Sequence, residues 1–127
     1  MYTVRVEADF AAAHYLSHYH GKCERLHGHN YRVRVHASGP KLDSGGMLLD
    51  FGELKGALRT VLSGLDHSNL NDLPEFGGDP SAERIARHIH DGIKLLLPGA
   101  PITAVEVFET PTSVAAYLPD PELSSSL

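Results

Sequence analysis

Nine of the 127 residues are histidine, and three have a spacing that could hold a metal ion: His14, then His27 and His29 on either side of Gly28. Two histidines at i and i+2 on an extended segment project to one face. His14 closes a first β-rich stretch whose antiparallel partner begins just past His29, so the three imidazoles can converge. Three neutral nitrogen ligands leave zinc its full charge and an open fourth position, the donor set of a catalytic rather than a structural site. The alternative is a set of unrelated surface histidines; a lone His-x-His would not decide, and the third histidine at a hairpin position favours the metal.

Other reactive side chains cluster near these in sequence. Cys23 lies in Gly21-Lys-Cys-Glu-Arg-Leu-His-Gly-His29, four residues before His27. Beside a bound cation and Lys22 its thiolate form would be favoured, making it a usable base or nucleophile; an inert buried thiol is the alternative. As a zinc ligand it would close the fourth position. Asp66-His67 places a carboxylate beside an imidazole, which can fix the tautomer and raise basicity for proton transfer, although adjacent side chains need not meet and a polar helix exit is the other reading. Glu109 shares a strand face with Val105 and Val107, and its two oxygens could accept from a ligand with two parallel N–H donors; a solvated strand-end glutamate is the alternative. His18, His20, His36, His88 and His90 read as non-ligands.

Strands and helices must bring these groups together. Tyr2–Phe10 and Tyr31–Ala37 alternate, with Val33 and Val35 opposed to Arg32, Arg34 and His36, which predicts two half-buried strands separated by a loop carrying chemistry. From Asp50 the period changes: Phe51, Leu54, Leu58, Val61/Leu62 and Leu65 recur at helical spacing behind an Asp50/Glu53 capping box, predicting a helix from about Phe51 to Gly64. A second helix, capped at Asp79 or Ser81 with Pro80 in its first turn, carries the stripe Ile85, Ile89, Ile93 and Leu96 and stops at Pro98-Gly99. Ile102–Glu109 and Thr112–Leu118 predict a closing hairpin around Thr110-Pro111. The order strand, strand, helix, helix, strand, strand indicates an α+β domain over residues 1–118, a four-stranded antiparallel sheet with one face under two helices, followed by a polar tail at 119–127. Such a sheet has two open edges, so homo-oligomerisation is expected.

Composition narrows the function. A chain of 127 residues, 42% hydrophobic, can build one core without staples. The single cysteine cannot form an intramolecular bridge, and the N-terminal segment lacks the pattern of a signal peptide, so the expected location is cytoplasmic. No apolar run approaches a membrane span. A net charge of −5 leaves no basic footprint for duplex nucleic acid, which points to a small-molecule ligand.

Five ordered segments together resemble the 6-pyruvoyltetrahydropterin and 6-carboxytetrahydropterin synthase family: Phe10-Ala-Ala-Ala-His14, Cys23 to Tyr31, Gly46-Met-Leu-Leu-Asp-Phe51, Leu65-Asp-His-Ser-Asn-Leu-Asn71, and Pro80-Ser-Ala-Glu83 with Glu109-Thr110 beyond it. The resemblance implies the tunnelling fold, ββααββ subunits assembled as a homohexamer (a dimer of trimers) with active sites at subunit interfaces. It implies zinc on His14, His27 and His29, binding the side-chain hydroxyls of 7,8-dihydroneopterin triphosphate. It further implies Cys23 as general base, Asp66 and His67 as its proton relay and Glu109 as the pterin anchor, with Thr110, Phe51 and Lys22 lining the substrate site. The triphosphate calls for a local positive patch from Lys22, Arg25 or a neighbouring subunit's arginines. The spacing Cys-x-x-x-His-Gly-His resembles the carboxytetrahydropterin synthases of the 7-deazaguanine (queuosine-type) route, a lyase activity, rather than the animal pyruvoyl-forming enzymes. Glu24, directly after Cys23, resembles a branch whose glutamate supports cleavage to 6-hydroxymethyl-7,8-dihydropterin for folate synthesis; an ordinary loop charge is the other reading. A non-catalytic pterin- or zinc-binding protein and a generic zinc hydrolase using Glu24 complete the alternatives.

Overall fold

A computed structural model describes residues 1–20 and 24–119. Cys23 and Lys22, two of the expected site residues, lie outside the described residues, as does the tail from 120 onward. The chain runs β1 (Tyr2–His14), β2 (His27–Gly39), α1 (Phe51–Ser63), β3 (Ser68–Asn69), α2 (Ala82–Leu96), β4 (Ile102–Thr110) and β5 (Ser113–Tyr117). Short 3₁₀ turns at Leu70–Asp72 and Pro74–Phe76 fill the connection between β3 and α2.

The α+β class is as expected, but the sheet has five strands in the order β3-β1-β2-β4-β5 and is mixed, not four-stranded and antiparallel. The added strand is two residues long and runs parallel to β1, pairing Ala12 with Ser68 and Ala13 with Asn69. It forms because the backbone after α1 turns through a left-handed residue, His67 at φ 57°, and hands its N–H to the Ala11 carbonyl at 2.6 Å. Two residues cannot show alternation, so the pairing leaves no periodic trace in the sequence.

β1 and β2 pair over their full lengths from Tyr2↔Gly39 to His14↔His27, which extends both strands past the expected stretches and carries the histidine positions into the ladder. Alternation puts Val6, Phe10, Ala12 and His14 of β1 on the same inner face as Tyr31, Val33 and Val35 of β2 and Val105 and Val107 of β4. Both helices cover that face. α1 buries Leu54, Ala57, Leu58 and Leu62; Asp50 caps it by accepting from the Gly52 N–H. Phe51 does not join the stripe: as the first helical residue it projects past the sheet and is 59% exposed.

α2 is capped by Ser81, whose side chain accepts from the Arg84 N–H at 3.2 Å, so Pro80 precedes the cap and lies outside the helix. Ile85, Ile89 and Ile93 are fully buried, each contributing about 1.5–3 kcal/mol of transfer free energy. The stripe ends there. Leu96 is 49% exposed, and Leu97, in the turn that follows, packs against the core in its place. Lys94 satisfies the carbonyls beyond the helix end by donating to Pro98 and Ala100. The helices touch closely where Gly92 faces Val61: a Cβ at Gly92 would fall 2.8 Å from Val61 Cγ2.

The outer sheet face carries ion pairs instead of a second layer. Arg34 Nε meets Glu7 at 2.7 Å, Arg32 Nε meets Asp9 at 3.2 Å, and His36 contacts Glu106. Among the described residues no helix is long and apolar enough to cross a membrane.

Candidate functional site

The ligating nitrogens of His14, His27 and His29 lie within 4.8 Å of one another at the inner-face end of the β1–β2 hairpin. The cluster follows from register. His14 and His27 are direct cross-strand partners, and His29, two residues along β2, faces the same way. His14 Nδ1 donates to the Pro80 carbonyl at 2.8 Å, and His27 Nδ1 donates to the Arg25 carbonyl at 2.8 Å. Each bond places the ring proton on Nδ1 and leaves the Nε2 lone pair free, the arrangement that orients an imidazole for a metal.

His29 Nε2 is buried without a hydrogen-bond partner among the described residues. Burial, ahead of the opposing pull of Glu109, holds its pKa below the usual histidine value, so the ring is neutral near pH 7. An orphaned, neutral imidazole nitrogen beside two pre-oriented ones fits a transition-metal ion, and three nitrogens suit zinc with one position open. Glu109, at the end of β4, stands beside the cluster: its carboxylate oxygens are 3.7 Å from His14 Nε2 and 4.0 Å from His29 Nε2. Its inner-face placement agrees with the sequence reading, and at 31% exposure it can meet a ligand.

The floor under the triad is Tyr31. Its ring stacks on Phe10 at 4.7 Å and meets His29 edge-on at 5.3 Å. Its hydroxyl is buried with no partner among the described residues, and burial, with Glu109 and Glu24 adding to it, pushes its pKa well above the ordinary phenol value.

The profile of the family described as 6-pyruvoyl tetrahydropterin synthase matches residues 3–120. The chain belongs to that family. It is 41% identical, across all of both chains, to the 6-carboxy-5,6,7,8-tetrahydropterin synthase of Synechocystis. It is 34% identical to the human 6-pyruvoyl tetrahydrobiopterin synthase over 76% of this chain and 70% of that one. In three dimensions it is similar to the Caenorhabditis elegans 6-pyruvoyl tetrahydropterin synthase, with a TM-score of 0.82 at 28% identity over 94% of this chain and 96% of the other. By these likenesses the chain is an enzyme of the 6-carboxytetrahydropterin synthase-like kind.

The remaining expected residues of this family member fall into two groups. Asp66 and His67 do meet, with His67 Nδ1 2.9 Å from Asp66 Oδ2, and Asp66 also accepts from the Ala11 N–H at 2.9 Å. These hydrogen bonds, the Ala11 N–H first, hold the Asp66 carboxyl below the usual carboxylate range. The pair lies outside the histidine cluster, with His67 82% exposed, but His67 borders a groove that reaches from Ala11, Ala13 and Asn30 of the outer face to His29 of the triad. Thr110 is exposed and borders an outer-face cavity of about 540 Å³ that it shares with Asp66 and Arg32. Phe51 is exposed at the start of α1.

Glu24 is engaged in the loop. Its carboxylate accepts from the Leu16 N–H at 2.9 Å while its own N–H donates to the Leu16 carbonyl at 2.9 Å. It is near enough to the centre for its charge to oppose the lowering of the His29 pKa. Sequence reasoning overlooked Tyr31, Asn71, whose side chain accepts from the Tyr15 N–H at 2.8 Å, and Asp79, whose carboxylate accepts from the Ser17 N–H at 2.8 Å. Asn71 and Asp79 stand at the ends of the loop segment 71–79, and a polar residue in such a loop carries no local sign of a partner 56 or 62 residues away.

Proposed function

We propose that this protein is a zinc-dependent lyase that converts 7,8-dihydroneopterin triphosphate to 6-carboxy-5,6,7,8-tetrahydropterin, acetaldehyde and triphosphate, with one water taken up, in the cytoplasm. The observation that carries the reading is the centre itself. Three imidazoles bring one ring nitrogen each within 4.8 Å of the others beside a carboxylate, in a chain that matches a 6-carboxytetrahydropterin synthase along its whole length.

His14, His27 and His29 would hold the zinc, which when bound supplies Lewis acidity toward the substrate's side-chain oxygens and so eases removal of protons from the adjacent carbons. Glu109 reads the pterin: its two oxygens match the parallel donors of the exocyclic amine and ring N–H. Cys23 takes the proton as general base, and the Asp66–His67 pair relays it, Asp66 fixing the His67 tautomer through Nδ1. The buried Tyr31 and Phe10 rings exclude water from the floor of the site.

The exposure of His67 supports a relay acting on the centre of a neighbouring copy, in an oligomer with sites at subunit interfaces. Phe51, Thr110 and Lys22 would then line the substrate pocket from such copies, and Lys22 or Arg25 would help to meet the triphosphate.

Cys23→Ala tests the catalytic assignment. The variant is expected to keep zinc and the native circular-dichroism spectrum and to lose most turnover, worth roughly 10²–10⁴-fold for a general base. Unimpaired turnover of 7,8-dihydroneopterin triphosphate by Cys23→Ala would sink the role. Zinc binding by the wild-type protein with no consumption of that substrate would point instead to a non-catalytic binder.

A further inference from the structure

Four consecutive residues at the end of β1 are each held by a different residue, three of them from parts of the chain more than 50 positions away. His14 donates from Nδ1 to the Pro80 carbonyl at 2.8 Å. Tyr15 is gripped twice by Asn71, its N–H donating to Oδ1 at 2.8 Å and its carbonyl accepting from Nδ2 at 2.9 Å. Leu16 exchanges the two bonds with Glu24 described above. Ser17 gives both its N–H and its hydroxyl to the Asp79 carboxylate, at 2.8 and 2.6 Å.

Beyond His14 the segment Tyr15–Ser17 has left the sheet, so no ladder among the described residues holds its main chain. The side chains of Asn71 and Asp79 do what a neighbouring strand would otherwise do. Their placement is specific. Asp79 directly precedes Pro80, whose carbonyl orients the His14 ring, so the bonds at His14 and Ser17 close a loop between residues 14–17 and 79–80. A turn of the His14 ring or a slip of the segment breaks bonds at both ends. The Ser17 hydroxyl and N–H also hold the Asp79 carboxyl below the usual carboxylate range, so the acceptor stays charged.

We propose that Asn71 and Asp79 are positioning residues for the metal centre, holding Tyr15–Ser17 so that His14 presents Nε2 to the ion in a geometry fixed before the ion arrives. This rests on the metal reading of His14, His27 and His29. Neither residue touches the ligand nitrogens; both act through the backbone that carries His14 and through the carbonyl that orients it.

The test measures zinc affinity by competition with a chromophoric chelator, the visible spectrum of the cobalt(II) form, and the melting midpoint of the metal-free full-length protein. Asp79→Ala and Asn71→Ala are expected to weaken zinc binding by roughly 10–100-fold, the usual cost of losing a group that orients a ligand, and to alter the cobalt bands. Asp79→Asn, whose amide keeps an acceptor for the Ser17 N–H and a donor toward its hydroxyl, is expected to recover most of the affinity. Ser17→Ala, which removes one bond of the pair without touching the loop's own polar groups, should fall between and serves if an alanine variant at 71 or 79 fails to fold. Unchanged zinc affinity and cobalt spectrum with a lowered metal-free melting midpoint would show ordinary loop packing and overturn the proposal. If the wild-type protein binds no zinc, or His27→Ala binds it as tightly as wild type, the metal reading itself fails and takes this proposal with it.

Discussion

His14 is the most buried imidazole of the triad. It is 2% exposed, and its ring is fixed by a main-chain carbonyl at 2.8 Å, whereas His27 and His29 approach from the open side of the hairpin. Substitution should therefore separate metal loss from fold loss. His27→Ala is expected to abolish stoichiometric zinc while leaving the circular-dichroism spectrum native, and retained zinc by metal analysis would contradict the triad. Tyr31→Phe removes a buried hydroxyl that has no partner among the described residues, so its loss should be neutral or stabilising by about 1 kcal/mol in denaturant unfolding of the metal-free protein. A destabilisation of that size would mean the hydroxyl is bonded after all.

Asp66 makes a pH prediction with a definite sign. Its carboxyl is held below the ordinary value of 3.8 in the folded protein, so the unfolded chain binds the proton more readily. The stability it contributes is present above the unfolded pKa and is lost as the pH falls through the folded one. Asp66→Asn should flatten the acid limb of a melting-midpoint profile below about pH 4 and leave its slope near neutrality unchanged; an unaltered acid limb would show that the carboxylate has no such linkage.

Among the elements, the long ones were legible because their residues repeat. Val33 and Val35 against Arg32 and Arg34 marked β2, and Ile85, Ile89 and Ile93 marked α2, since burial on one face imposes a period of 2 or 3.6. β3 was not legible, because what makes it is a left-handed turn at His67 and one backbone bond to Ala11. Phe51 and Leu96 misled for a related reason: apolar residues at the first and last turns keep the period but run past the sheet they would cover. At the site, the His-x-His spacing and the facing strand were local signals, and the triad followed from them. The grip of Asn71 on Tyr15 and of Asp79 on Ser17 spans 56 and 62 residues, a distance at which one sequence carries no pairing information. Ser81→Ala, which removes the cap of α2, should cost about 0.5–2 kcal/mol in unfolding free energy. A cost near zero would show that the Ser81 hydroxyl does not hold the start of the helix.

For the whole molecule, the exposed edges matter most. Among the described residues β5 is an open edge, and on the other side the two residues of β3 pair only with Ala12 and Ala13, leaving the rest of the edge of β1 that faces away from β2 uncovered. Edges of this length favour pairing with further copies, which agrees with the hexamer that the family resemblance implies. A monomeric mass in light scattering at micromolar concentration would contradict it. If His67 serves a neighbour's centre, two inactive variants should complement each other. Mixed oligomers of His27→Ala and His67→Ala would contain some sites with an intact triad and an intact relay, restoring roughly a quarter of wild-type activity by random pairing of copies. No recovery on mixing would place the relay in the same chain as its metal.

The most direct measurement is the mass of the pterin formed when the zinc-loaded protein consumes 7,8-dihydroneopterin triphosphate. The account predicts the mass of 6-carboxy-5,6,7,8-tetrahydropterin, with acetaldehyde released in equal amount. The mass of a 6-pyruvoyl or a 6-hydroxymethyl pterin, without the carboxy product, would contradict it.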